Sequence, residues 1–129
     1  RDASADRAKL EATWGEICTD PKVEVWAAEG DAGLLASCIA VITPNLTRGA
    51  RPFALIENVV THPDQRRRGL GRTVIEAALA SCWAQDCYKV MLLSGTANRS
   101  AHAFYDSLGF ERDAKQGFLM RPPAPREES

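Results

Sequence analysis

Residues 53–83 switch hydrophobic period halfway along, and that switch constrains the fold more than anything else in the chain. Residues 53–61, Phe-Ala-Leu-Ile-Glu-Asn-Val-Val-Thr, form an apolar run of strand length. Leu70, Val74, Ile75, Ala78, Leu79, Cys82 and Trp83 then recur on one face of a helix. Between the two lies a basic loop punctuated by Gly69 and Gly71. Strand, loop and helix in that order make an anion cradle. The N–H groups at a helix start point outward, and the helix dipole favours negative charge there. Gly69 and Gly71 carry no Cβ, so a phosphate can approach the backbone. Arg66, Arg67, Arg68 and Arg72 add side-chain charge and paired donors. The segment predicts a site for a di- or triphosphorylated ligand.

Two nucleotide motifs fail on this loop. A dinucleotide fingerprint needs a third glycine and an acidic residue about 20 positions on; here there is no third glycine, and Asp86 lies in the wrong setting. A Walker loop needs Gly-Lys-Ser/Thr, which is absent. The chain of 129 residues has a formal charge of −1, so the arginines are a local patch on a balanced protein rather than a general nucleic-acid surface. Cys18, Cys38, Cys82 and Cys87 form no CxxC pair and have no histidines at zinc spacing; they read as buried free thiols in a reducing compartment. No apolar run approaches the ~20 residues that span a bilayer, and no signal-like segment opens the chain. A cytoplasmic location, no membrane partner and no metal are expected. The chain begins at Arg1 rather than Met, so a segment removed or not included upstream is expected.

The remaining elements follow from local patterns. Residues 4–16 predict a helix with Ser4 as N-cap, closed by Asp20-Pro21. Residues 23–29 predict a strand, 30–33 a hairpin turn, and 34–43 a central apolar strand ended by Pro44. Residues 44–52 read as a loop and 90–93 as a short core strand. Ala101, Phe104, Tyr105 and Leu108 place a helical stripe over residues 98–108, with Gly109 as the stop. Two short strands are predicted at 110–112 and 118–121. Residues 122–129 read as a disordered tail rich in proline and glutamate. The sum is one domain, residues 1–121, of α/β class with a mixed sheet.

Glu57 is the unusual residue of the strand before the loop. A carboxylate between Leu55, Ile56, Val59 and Val60 is either buried, with its pKa raised and suited to general-base work, or sits where its side chain reaches water or an arginine. Tyr105 by default is a core tyrosine with a satisfied hydroxyl, and Asn98 a helix N-cap. His62 and His102, the latter expected to face outward beside Arg99, have no metal partner at useful spacing and receive no role.

Taken in order, Ile56-Glu57-Asn58-Val59-Val60-Thr61-His62-Pro63, Arg66-Arg67-Arg68-Gly69-Leu70-Gly71, Cys87-Tyr88-Lys89-Val90-Met91-Leu92 and Asn98…Ala103-Phe104-Tyr105…Leu108-Gly109-Phe110 resemble the GNAT superfamily of acetyl-CoA-dependent N-acetyltransferases. The resemblance covers residues 53–112. It implies a mostly antiparallel central sheet flanked by helices, with a splayed strand pair that holds the cofactor. It implies acetyl-CoA as donor, its pyrophosphate on the amides of residues 67–72 and its arm beside Val59, Val60 and Thr61. It further implies Glu57 as general base, directly or through a water, Tyr105 as general acid, and Asn98 as a contact to the cofactor arm. Its nearest subgroups act on amino sugars or other small amines, and a homodimer is a family-level expectation. The N-terminus departs from the pattern: about 20 residues precede the first strand, enough for one helix and a stub, so the acceptor pocket is shortened, opened or completed by another subunit. The competing readings are a non-catalytic CoA-binding sensor or regulatory domain, and an RNA-binding surface built on residues 66–72 with Arg48 and Arg51.

Overall fold

The computed structural model describes residues 6–31, 33–63 and 69–124. By internal contacts the chain divides into two compact units, Arg1–Leu92 and Leu93–Ser129. The first holds helix α1 (Arg7–Thr19), strands β1 (Val23–Gly30), β2 (Gly33–Thr43) and β3 (Phe53–Thr61), helix α2 (Leu70–Ala84) and strand β4 (Val90–Met91). The second holds helix α3 (Arg99–Ser107).

The sheet runs β1-β2-β3-β4, with antiparallel pairs β1/β2 and β2/β3 and a parallel pair β3/β4. From Leu35 onward strand β2 alternates half-buried and buried residues. Ala36, Cys38, Ala40 and Ile42 of β2, with Ala54 and Ile56 of β3, form the face that receives Val74, Ile75, Ala78 and Cys82 of α2. Small residues on the strands let the helix approach closely, and this interface is the core. The mixed sheet with flanking helices agrees with the sequence expectation.

Three polar features fix the edges of this core. The Glu24 carboxylate accepts from Ser81 Oγ at 2.7 Å, Gln85 Nε2 at 2.7 Å and Trp26 Nε1 at 3.1 Å, tying β1 to the end of α2. Arg51 donates to the Asp86 carboxylate at 3.2 Å and to the Asp86 carbonyl, holding the start of β3 beside the turn into β4. Arg48 lies 5.4 Å above the Tyr88 ring, on a turn where Arg48, Gly49 and Ala50 all have positive φ. Arg48 and Arg51, counted above toward an RNA surface, are thus engaged in holding the β2–β3 connection.

Several boundaries differ from expectation. Helix α1 starts at Arg7, capped by Asp6, whose side chain accepts from the Ala8 N–H at 3.0 Å; Ser4 lies outside the described residues. Strand β4 is two residues long, not four. No strand forms at 110–112 or 118–121. A strand needs a hydrogen-bonded neighbour, and among the described residues the second unit contains no strand for these segments to join. Phe118 and Met120 are accordingly 92% and 94% exposed. Cys38, Cys82 and Cys87 are buried free thiols as expected, but Cys18 is exposed at the end of α1.

Candidate active site

The site is set by an irregularity in β3. The Ala54 N–H donates to the carbonyl of Lys89, on the β4 side, at 3.1 Å, whereas the His62 N–H donates to Leu35, on the β2 side, at 2.7 Å. Residues an even number apart on an unbroken strand present their N–H groups to the same neighbour, so one extra residue must intervene. The β2/β3 register locates it: Glu57 opposes Ile39, but Val60 opposes Ser37, so three steps on β3 match two on β2. Asn58 has φ +54, the left-handed conformation that asparagine adopts more readily than most residues. This is a β-bulge, which bends its strand and re-aims the groups beside it.

The bulge coincides with the loss of the β3/β4 ladder. That pairing consists of Ala54 with Val90 and Leu55 with Met91. Beyond Leu55, no described strand pairs with β3 on that side, so the strand pair is splayed. An open edge of this kind accepts an extended, amide-bearing chain. Val59, Val60 and Thr61 lie on this stretch; Val60 is exposed, Val59 and Thr61 half-buried.

The anion cradle is described from Gly69 onward, while Arg66, Arg67 and Arg68 lie outside the described residues. Gly69 is the N-cap of α2 at φ +77, with no side-chain capping bond. A Cβ built there would meet nothing within 4 Å, so it is the backbone conformation rather than crowding that calls for glycine. The Thr73 N–H closes the first helical bond to the Gly69 carbonyl at 3.0 Å. The N–H groups of Leu70, Gly71 and Arg72 therefore lie in the first turn, where a helix supplies no acceptor. The Arg72 side chain runs along the helix to Glu76 at 3.3 Å. The splayed edge and the helix start together fit a ligand with an amide-bearing arm and a pyrophosphate.

Glu57 is exposed, which decides between the two sequence readings: the carboxylate reaches water rather than being buried in the core. Its direction follows from the register. Residues directly opposite on paired strands leave the sheet on the same face, and Glu57 opposes Ile39, which in turn opposes Val25. Val60 opposes Ser37, which opposes Ala27. Val25 and Ile39 of the first row, with Ala27, Ser37 and Val60 of the second, floor a groove of about 950 Å³ on the sheet face away from α2, walled by Trp14, Ile17 and Cys18 of α1; Glu57 continues the first row past it. Val25, Ala27, Ser37, Ile39, Asn58 and Val60 all line it.

Tyr105 and Asn98 belong to the second unit. Tyr105 is half-buried, with its ring 5.3 Å from Phe104 and 6.0 Å from Phe110. Asn98 caps α3 as expected, its Oδ1 accepting from the Ala101 N–H at 3.1 Å. That leaves the side-chain amide nitrogen as the group able to donate to a ligand. His102 is half-buried and its Nε2 lies 2.8 Å from the Gly95 carbonyl, so it braces the loop before α3 instead of facing outward.

Asn58 is the residue that sequence reasoning passed over. The signal was an asparagine in the middle of an otherwise apolar strand, where a residue tolerant of positive φ marks a bulge. Among the described residues, no cluster of three or more His, Cys, Asp or Glu is placed to hold a metal ion, and no helix is long and apolar enough to cross a membrane.

Residues 2–110 match the acetyltransferase (GNAT) family model. Over 93 residues the chain is 32% identical to glucosamine 6-phosphate N-acetyltransferase of Trypanosoma brucei brucei, a match covering 72% of this chain and 61% of that protein's length. Among solved structures, a provisionally named acetyltransferase of Agrobacterium tumefaciens str. C58 superposes with a TM-score of 0.87 at 40% identity, covering 94% of this chain and 83% of that one. An acetyltransferase of Trypanosoma brucei follows the same path with a TM-score of 0.78 at 27% identity, covering 94% and 84%.

Proposed function

The chain belongs to the GNAT acetyltransferase family, and from that premise we propose that it transfers an acetyl group from acetyl-CoA directly to a primary amine of a small molecule, in a ternary complex. The observation that carries this reading is the bulge at Asn58, which puts an exposed carboxylate, Glu57, beside an unpaired strand edge.

Bound acetyl-CoA supplies the thioester. The chain's part begins with placing it: the edge of Val59, Val60 and Thr61 aligns the arm, and the first turn of α2, with Arg66, Arg67, Arg68 and Arg72, holds the pyrophosphate. An N–H near Val59 or Val60, re-aimed by the bulge, polarises the acetyl carbonyl. An alkylammonium has a pKa near ~10.4 and must lose a proton before it attacks. Glu57 takes that proton, directly or through water. As the new C–N bond forms and the C–S bond breaks, the Tyr105 hydroxyl gives a proton to the departing sulfur and is restored, through solvent, by the second proton that the new amide nitrogen sheds; Asn98 contacts the cofactor arm. The acetyltransferase domain is taken as residues 1–121.

The relative from Trypanosoma brucei brucei is named for glucosamine 6-phosphate, which makes amines of that size the first acceptors to test. A thiol-release assay with acetyl-CoA and a panel of amino sugars, polyamines, aminoglycosides, amino acids and lysine peptides tests the proposal. Amine-dependent CoA release is expected. CoA binding with no release for any amine would favour a regulatory CoA-binding domain instead.

A further inference from the structure

We propose that the acceptor of this chain is a primary amine with an apolar, aryl or branched-alkyl body and no phosphate, an inference that rests on the acetyltransferase reading of the same site. The groove on the open sheet face has a composition that selects for such a molecule. Trp14 and Ile17 wall it, Val25 and Ile39 form one row of its floor, and the register continues that row to Glu57 just beyond the lining. Strands lie about 4.8 Å apart, so this row runs about 10 Å from Val25 to Glu57. An amine held at the Glu57 carboxylate would therefore lay a body of ring size over Ile39 and Val25, beneath the α1 side chains. Burying that body is favourable by about 25 cal/mol per Å² of apolar surface.

Charge points the same way. Glu29 is the one charged residue among the described groove-lining residues, which include no lysine, arginine or histidine. Among the described residues, then, the groove lining carries a carboxylate and no cation, and the strand register continues its floor row to Glu57. A protonated amine is complementary to that surface, whereas a phosphate dianion would lose its water without gaining a partner and would face like charge. A sugar ring fares little better, because its hydroxyls find few polar groups among these apolar walls.

Trp14 walls the groove, whereas the Trp26 ring lies on the α2 face with Glu24, so binding can be read from Trp14 without turnover. In a Trp83→Phe background, and with CoA present, intrinsic fluorescence is titrated with 2-phenylethylamine and separately with glucosamine 6-phosphate. Saturable quenching or shift by 2-phenylethylamine is expected, at least tenfold tighter than any response to glucosamine 6-phosphate. Val25→Lys, at a position 38% exposed and so tolerant of a long side chain, is expected to weaken the amine at least tenfold with its thermal midpoint kept. Glu57→Gln is expected to weaken it as well. Tighter binding of glucosamine 6-phosphate, or no response to either compound, overturns the inference. So does a dimer that Val25→Lys dissociates, because the groove is then a subunit contact. Thiol release measured on the same samples separates the two levels. Binding of 2-phenylethylamine without acetyl transfer to any amine defeats the acetyltransferase reading and leaves the groove's selectivity intact. Transfer to glucosamine 6-phosphate with no binding of 2-phenylethylamine does the reverse.

Discussion

Glu57 stands directly across from Ile39 in the β2/β3 ladder, and its carboxylate leaves the sheet at the point where the ladder slips by one residue. The pairing gives the carboxylate its face, and the slip at Asn58 ends the regular strand next to it. An apolar floor, an acidic end and an open strand edge meet at this position because of one residue with positive φ.

That residue gives the first prediction. Placing a side chain in the left-handed conformation costs about 1–2 kcal/mol relative to glycine, less for asparagine. Asn58→Ala should lower the unfolding free energy by about 1 kcal/mol, while Asn58→Gly should leave it near the parent value. Urea unfolding of the three proteins reads this directly. Equal stability of the alanine and glycine variants would contradict a left-handed bulge at residue 58.

Removing the proposed proton acceptor or donor should slow turnover without abolishing it. General acid or base assistance is worth about 10²–10⁴-fold each, and positioning of the two substrates remains. Glu57→Gln and Tyr105→Phe should each lower kcat within that range while leaving CoA affinity within about threefold. An unchanged kcat in Tyr105→Phe would sink the acid assignment.

Glu24 makes stability depend on pH. Its partial burial alone would raise the carboxyl pKa, but the donors Ser81, Trp26 and Gln85 outweigh that and hold it below the ordinary glutamate value. A group whose folded pKa is depressed stabilises the fold above its unfolded pKa, near ~4.3 for glutamate, and loses that contribution as pH falls through the folded value. Glu24→Gln should therefore be less stable than the parent at pH 7. The gap should close as pH falls below about 4, measured as urea midpoints across pH 3–7.

The cysteines should separate by burial. Desolvation pushes the Cys38 thiol up to about 11 and, as the largest of several causes, the Cys82 thiol to about 12, and it raises Cys87 as well. The thiolate is the reactive form, and these side chains are also closed to reagent. Native protein at pH 8 should react with one equivalent of a thiol reagent, at exposed Cys18. The other three should react only in denaturant. Rapid native labelling of Cys82 would show that the α2–sheet interface opens.

Much of this was legible from residue order because it depends on local patterns. The apolar runs of 34–43 and 53–61, the period of 3.6 in 70–83, the caps at Asn98 and Gly109 and the glycine at the start of α2 are each properties of neighbouring residues. A strand's existence is local in this sense, but its partner is not. Residues 110–112 and 118–121 carry strand-like composition, yet the second unit offers them no ladder. Strand β4 is likewise cut to Val90 and Met91 where β3 bends away. Exposure of Glu57 was also undecidable from its apolar flanks, since Leu55, Ile56, Val59 and Val60 are compatible with either face.

The sequence by itself therefore determined the local pattern of the proposed cradle, Gly69 at a helix start behind an apolar strand with arginines before it, because helix-end chemistry is written in adjacent residues. Only the tertiary structure decided what faces that cradle's partner. The slip at Asn58 is a mismatch between two strands, and the groove is a product of three strands and α1, so neither exists until residues far apart in the chain are paired.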